Sequence, residues 1–401
     1  MKRSEQSGLA LRIGVDATCW ANERGYGRYA RHLVTAMVEA SPADQFICFL
    51  DELSASRFFL DRANVRQIVV RTRAGAAAAA SADGHRSLTD MIAMTRAVWT
   101  HRPDVFFSPS VYTYFPLPPG LPAVVTIHDA IAERFPELTL PSRRARLFWG
   151  AKVWLALRQA RSILTVSEYA AQEVSRQHGV PMSEMAITLE APADAFEPRG
   201  VPEIAEVASR LGVPPGSRWF IYVGGFNPHK NVRSIIAAHA ELSRGLEANP
   251  PLLLLVGNAA GDVFHSEVDA IRGKIEKCGT QSTVRWMGHV PDRDLSALLS
   301  GAVALVLPSE SEGFGLPAIE AAACGTPVVA TSESPLPDLL EGGGLFVKPD
   351  DYGSLLSAMK QFLTDEPFRQ RCGNSALERA RLLSWDDSAK KCLLAIRKAA
   401  A

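Results

Sequence analysis

The chain has no excess of charge of either sign: 43 Lys and Arg residues are matched by 43 Asp and Glu, a formal net charge of zero. A partner gathered by a net basic field, nucleic acid first among them, is therefore not expected. Closely spaced cysteines are also missing. The six that exist, Cys19, Cys48, Cys278, Cys324, Cys372 and Cys392, include no pair at the spacing of a metal knuckle or redox motif, so they read as reduced thiols, several of them buried. No apolar run is long enough for a bilayer, and the opening MKRSEQSGLALRIGV has no continuous apolar core of a signal peptide. A cytoplasmic protein is expected, with any membrane contact peripheral on the inner face. Clusters of oxygen ligands are absent too. Asp292-Arg293-Asp294 spells D-x-D, but it precedes an apolar helical run and reads as a helix cap, so neither a metal nor another cofactor is expected.

What is present is core-forming material in two series. At 401 residues and 47% hydrophobic content, two domains of about 200 residues are the starting expectation. Apolar runs at Leu11–Ala17, Phe46–Leu50, Val65–Val70, Val105–Ser108, Ala123–Ile127, Ser162–Val166 and Ala186–Leu189 alternate with helical stretches. From Ala191 to Ser217 the pattern gives way to proline, glycine and charge with one short helix, and a second series follows at Trp219–Val223, Leu252–Gly257, Val284–Met287, Ala302–Leu307, Val328–Thr331 and Leu345–Val347. Strands alternating with helices predict two doubly wound α/β sheets. The low-complexity stretch Ala74–Ser87 reads as a mobile surface insertion.

The most informative stretch is Ser309–Gly325, SESEGFGLPAIEAAACG, which follows a strand-like run. Gly313-Phe314-Gly315 forms a tight loop, Leu316 and Pro317 open a helix, and Gly325 stops it. Such a helix N-terminus is a seat for phosphate. Glu312 and Glu320, with seven residues between them, flank it as acceptors for hydroxyls, Glu320 turning sideways from the first helical turn. A phosphate seat beside hydroxyl acceptors describes a nucleotide-sugar. A similar conflict marks Gly224-Gly225-Phe226-Asn227-Pro228-His229-Lys230: the Lys230 ammonium stands at a helix N-terminus, where it is misplaced unless an anion joins it. His128, in Thr126-Ile127-His128-Asp129, ends a strand where ligands of open α/β sheets bind, although a lone histidine is more often structural. The string GYGRYA at 25–30 fits a dinucleotide fingerprint only loosely, because seven residues separate it from the preceding strand, and a nicotinamide site is set aside.

EGFGLPAIEA followed by GTPVVAT resembles the E-x7-E segment of retaining glycosyltransferases of family four, built on the GT-B fold, and VVTIHDAIAERFPE is similar to their HD segment. The resemblance implies two Rossmann-like domains facing a central cleft: residues 9–192 with a returning helix at 384–401 on the acceptor side, and 193–383 binding the donor. It implies that Gly25 and Gly27 face the sugar-phosphate and that His128 contacts the donor sugar. Gly225 and Lys230 hold the diphosphate with Gly313, Phe314, Gly315 and Leu316, while Asn258 and Val290 border the nucleobase. Glu312 takes the sugar hydroxyls and Glu320 the ribose. In the family an arginine follows the glycine or precedes the lysine; here those places hold Phe226 and His229, which leaves a protonated His229 as the substitute. His128, Lys230 and Glu312 are thus the expected catalytic set.

Similarity to bacterial mannosyltransferases of O-antigen and exopolysaccharide assembly favours GDP-mannose as donor and a lipid-linked or saccharide acceptor. A UDP-sugar donor and a non-catalytic sugar-nucleotide-binding subunit are the alternatives. The helix expected at Ser142–Arg161 carries Arg143, Arg144, Arg146, Lys152, Arg158 and Arg161 with Phe148, Trp149 and Trp154. Its plainer reading puts the aromatics in the core and the arginines in water; the alternative is a face for the inner membrane surface.

Overall fold

The computed structural model describes residues 10–73, 87–140, 142–245, 249–259 and 266–401. The insertion expected at Ala74–Ser87 falls outside these residues except for Ser87. Most of the apolar runs become strands buried on both faces, as parallel strands covered by helices must be, while Val65–Val69 and Met185–Ile187, at the two edges of their sheet, stay partly exposed. Seven strands form the first sheet: β1 (Arg12–Asp16), β2 (Gln45–Leu50), β3 (Val65–Val69), β4 (Val105–Ser108), β5 (Ala123–Thr126), β6 (Ala160–Thr165) and β7 (Met185–Ile187). Six form the second: β8 (Trp219–Val223), β9 (Leu252–Val256), β10 (Val284–Gly288), β11 (Ala304–Leu307), β12 (Val328–Thr331) and β13 (Gly344–Val347).

All pairings are parallel, in the orders β3-β2-β1-β4-β5-β6-β7 and β10-β9-β8-β11-β12-β13. Each order reverses once, between β1 and β4 and between β8 and β11. Loops leaving adjacent strands in opposite directions open a crevice there, the place where open α/β sheets bind ligands. The two crevices face each other. Strands ended within a residue or two of their expected limits, because hydrophobic runs mark sheet interiors and not their frayed ends.

The helix Trp385–Ala400 returns from the second sheet to the first and lies against the helix Gly25–Ala40. Trp385 stacks on His32 with centroids 5.3 Å apart, Arg397 Nη2 meets Asp44 Oδ2 at 2.6 Å, and Arg161 Nη1 donates to the Ala399 carbonyl at 2.7 Å. Arg161 thus belongs to β6 and not to the helix before it, which runs Arg143–Gln159 with Ser142 as its N-cap.

That helix departs from its plainer reading. Trp149 is half-buried and donates to Glu133 Oε1 at 2.7 Å, but Leu147, Phe148 and Trp154 are 74%, 48% and 63% exposed. Arg144 and Arg158 lie over the rings of Phe148 and Trp154. Only one face of a single helix can reach the sheet, and this sequence has apolar residues on more than one.

Candidate active site

A cleft of about 1620 Å³ separates the two sheets and is lined from both sides. Lys230 and Glu312 meet in it because they leave neighbouring strands, β8 and β11, at the point of reversal. Lys230 ends the short 3-10 turn Pro228–Lys230, and its Nζ lies 2.7 Å from Glu312 Oε1, which also accepts from Ser309 Oγ at 2.6 Å. The ammonium is 20% exposed and the carboxylate 9%, so the pair is only partly screened by water.

The loop between them and the helix Leu316–Ala323 depends on two glycines. Gly315 is the N-cap residue with φ of 85°, a left-handed conformation that disfavours side chains. Gly313 is pressed against the opposite half: a Cβ there would stand 2.3 Å from the His128 carbonyl oxygen. Ser167 Oγ donates to the Gly313 carbonyl at 2.6 Å, Tyr169 OH and Ser311 Oγ are 3.2 Å apart, and Arg134 Nη2 meets Glu333 Oε2 at 2.7 Å. These contacts tie the rim of one sheet to the other, and Gly315 and Leu316 line the cleft beside them.

Glu320 sits in the second turn of its helix, not the first, and is buried. Arg28, from the first half, reaches it across the cleft: Nη2 is 2.7 Å from Glu320 Oε1, and the guanidinium is also bidentate to Asp292 at 3.0 and 3.1 Å. Burial pushes the Glu320 carboxyl up to about 8, Arg28 opposing and Asp292 and Glu190 adding to the shift. Its Oε1 has no aligned hydrogen bond, so it retains acceptor capacity for a hydroxyl. Asp292 is the first residue of the helix Asp292–Ser300 and caps nothing; the D-x-D carboxylates pair instead with Arg28 and, through Asp294, with Arg210.

His128 is 7% exposed at the cleft wall. Its Nε2 is 2.9 Å from the Pro109 carbonyl, which makes Nε2 the protonated nitrogen, and Nδ1 lies 3.6 Å from Glu190 Oε1. Tyr29 packs edge-on against the ring at 4.7 Å. The imidazole is therefore fixed in orientation before any ligand arrives.

Gly25, His128, Gly225, His229, Lys230, Asn258, Val290, Glu312 to Leu316 and Glu320 all line the cleft. Gly27 does not. It lies inside the first helix, where a Cβ would stand 2.1 Å from the Asn22 carbonyl oxygen, so packing accounts for it. His229 lines the cleft but cannot be the cation proposed for it, since burial, with Lys230 and Arg24 nearby, drives its pKa well below the ordinary value and leaves it neutral. Sequence reasoning passed over Arg24, Arg28, Ser309 and Glu190. The signal for the first two was the string RGYGR at 24–28, which puts cations four residues apart on one face of a helix that opens at the cleft. Among the described residues no group of three His, Cys, Asp or Glu side chains is placed to hold a metal ion.

The chain is similar to known proteins over both sheets. The family model described as Glycosyltransferase Family 4 matches residues 24–188, and that described as Glycosyl transferases group 1 matches residues 204–379. The chain is 30% identical over 265 residues to the O-antigen chain mannosyltransferase B of Escherichia coli, covering 66% of this chain and 67% of that protein. It is 32% identical over 211 residues to a D-inositol 3-phosphate glycosyltransferase of Corynebacterium aurimucosum, covering 51% of this chain and about half, 49%, of the relative's length. The sucrose-phosphate synthase of Thermosynechococcus elongatus superposes with a TM-score of 0.74 over 96% of this chain and 98% of that one, at 19% identity, a likeness of fold.

Proposed function

This chain belongs to the group 1 and family 4 glycosyltransferases, of GT-B fold, and we propose that it moves mannose from GDP-mannose, with retention of configuration, to a hydroxyl of a lipid-linked or saccharide acceptor of bacterial surface polysaccharide. The observation that carries this reading is the Lys230 ammonium standing at the mouth of the Gly313–Leu316 turn, on the cleft, 2.7 Å from Glu312. The name of the Escherichia coli relative supports mannose and an O-antigen type of acceptor.

In the reaction the bond from the anomeric carbon to the phosphate oxygen breaks, and its electron pair leaves with the diphosphate. The acceptor oxygen bonds to the same face of that carbon, and its proton passes to the departing phosphate. Positive charge grows on the sugar and negative charge on the leaving group, so preorganised donors at the leaving group are what lower the barrier. Lys230, the amides at the Leu316 helix N-terminus and the dipole behind them fill that role. Glu312 orients the sugar hydroxyls and Glu320 accepts from the ribose. His128, its ring fixed by Pro109 and Tyr29, is assigned to the sugar. No metal is assigned, and the nucleotide-sugar is a substrate, not a cofactor.

Membrane contact at the inner face forms part of the reading. Exposed Leu147, Phe148 and Trp154, with Arg143, Arg144 and Arg146 on the same helix, present the aromatic and cationic mixture that suits an anionic lipid surface. No helix of the described residues is long and apolar enough to cross a membrane. The test of function is a thermal-shift panel of GDP, UDP and ADP followed by transfer from radiolabelled GDP-mannose. Stabilisation by GDP and a mannosylated product support the proposal; a preference for UDP replaces the donor, and no nucleotide binding at all refutes it.

A further inference from the structure

The first half's wall of the cleft holds one buried carboxylate to which the reaction above gives no role. Glu190 follows β7 and lines the cleft, although only 4% of it is exposed. The chain that carries it is fixed from two sides: Ser388 Oγ of the returning helix donates to the Leu189 carbonyl, and the Thr188 and Tyr29 hydroxyls are 2.9 Å apart. Tyr29 also packs edge-on against His128 at 4.7 Å, so one side chain sets the spacing between the histidine and the end of β7. Among the described residues the Glu190 carboxylate accepts no hydrogen bond, and the ionisable group in ion-pair range of it is His128, with Nδ1 3.6 Å from Oε1. Arg28, on whose guanidinium Glu190 also acts, is held by Asp292 and Glu320.

Resting on the donor reading above, we propose that Glu190 binds the donor sugar, its Oε1 and His128 Nδ1 together accepting the hydrogen of one hexose hydroxyl. His128 gives its Nε2 proton to the Pro109 carbonyl at 2.9 Å, which leaves a lone pair on Nδ1. Two acceptors therefore face each other. A proton between them would draw the pair to about 2.7–2.9 Å, and the observed 3.6 Å is well outside that range. Buried acceptors without a donor are costly to keep, so the donor comes with the ligand. Nitrogen and oxygen at this spacing can share one O–H in a three-centre hydrogen bond. The pair also stands beside the glycine turn, since a Cβ on Gly313 would lie 2.3 Å from the His128 carbonyl oxygen. With the diphosphate assigned to that turn and the ribose to Glu320, the part of the donor left to face His128 and Glu190 is the sugar.

The test compares GDP with GDP-mannose, or the corresponding pair for whichever base binds, by titration calorimetry without acceptor on the full chain, using wild type, Glu190→Ala and Glu190→Gln. Glu190→Ala should lose about ten- to a hundredfold in GDP-mannose affinity, the range of one hydrogen bond to a charged acceptor, with GDP affinity unchanged. Glu190→Gln keeps a neutral acceptor of the same reach and should recover part of the loss. Donor analogues with one sugar hydroxyl at a time replaced by hydrogen identify the group bound: one of them should lose as much on wild type and nothing further on Glu190→Ala. Equal GDP-mannose affinity in wild type and Glu190→Ala overturns the inference. So does an equal loss for GDP and GDP-mannose, which is what a purely structural carboxylate would give, and so does a deoxy series in which every loss adds to that of the variant. A wild type that binds neither nucleotide overturns the donor reading and this inference together, whereas the three preceding outcomes leave the donor reading standing.

Discussion

Replacing Lys230 by Met separates the two things this side chain does. Its ammonium neutralises Glu312, whose side chain is only 9% exposed, and it faces the cleft at the proposed diphosphate seat. Removing one partner of a fully buried pair costs about 3–5 kcal/mol. Water reaches the 20% exposed ammonium, and Ser309 Oγ still donates to Glu312 at 2.6 Å, so about 2 kcal/mol of stability is expected instead. For a domain of this size that is a fall in melting temperature of roughly 4–8 °C. The catalytic loss is separate: one well-aimed donor at a developing anion contributes about 3 kcal/mol, or roughly a hundredfold in rate. In the double variant Lys230→Met, Glu312→Gln the buried charge is gone, so the melting temperature should return towards that of the wild type while transfer stays at least a hundredfold down. Calorimetric melting and a radiolabelled transfer assay on the same preparations read both. A Lys230→Met enzyme within threefold of wild type refutes the leaving-group role. A double variant that regains activity shows that the lysine served only to neutralise Glu312.

Four further outcomes follow from the geometry. Glu320 titrates near 8 in the fold against an ordinary 4.5, so the stability its neutral form contributes is complete below about 4.5 and lost as the pH rises through about 8. Glu320→Gln cannot ionise and should gain on the wild type across that window by a few kcal/mol, at about 1.4 per unit; parallel melting curves from pH 5 to 8 would assign the proton elsewhere. Gly313→Ala places a Cβ 2.3 Å from the His128 carbonyl and must part the two halves, so kcat should fall at least tenfold, and full activity would mean that close apposition is dispensable. Changing Leu147, Phe148 and Trp154 together to Ser should release the protein from phosphatidylglycerol vesicles in a sedimentation assay, and undiminished binding ends the membrane assignment. EDTA should leave the transfer rate unchanged; a loss that magnesium restores would move the leaving-group charge from Lys230 to a metal.

The sequence by itself determined the strands and the local site turns. Buried parallel strands read as unbroken apolar runs, and the loop of Ser309–Gly315 is specified by residues that contact one another along the chain. For the same reason Lys230 and Glu312 could be singled out: each is electrostatically conspicuous within its own turn. The tertiary structure decided what lies across the cleft. Arg28 on Glu320, Arg24 at Asn227, Ser167 on Gly313 and Glu190 beside His128 join residues 62 to 292 positions apart, and no local pattern encodes such pairs. Charge state was likewise settled by folding, since desolvation depends on every neighbour in space: it leaves His229 neutral and raises Glu320, although both look ionisable along the chain. The exposure of Phe148 and Trp154 has the same origin, because hydrophobicity says that a residue seeks cover and only the packing of the helix on its sheet says which side receives it.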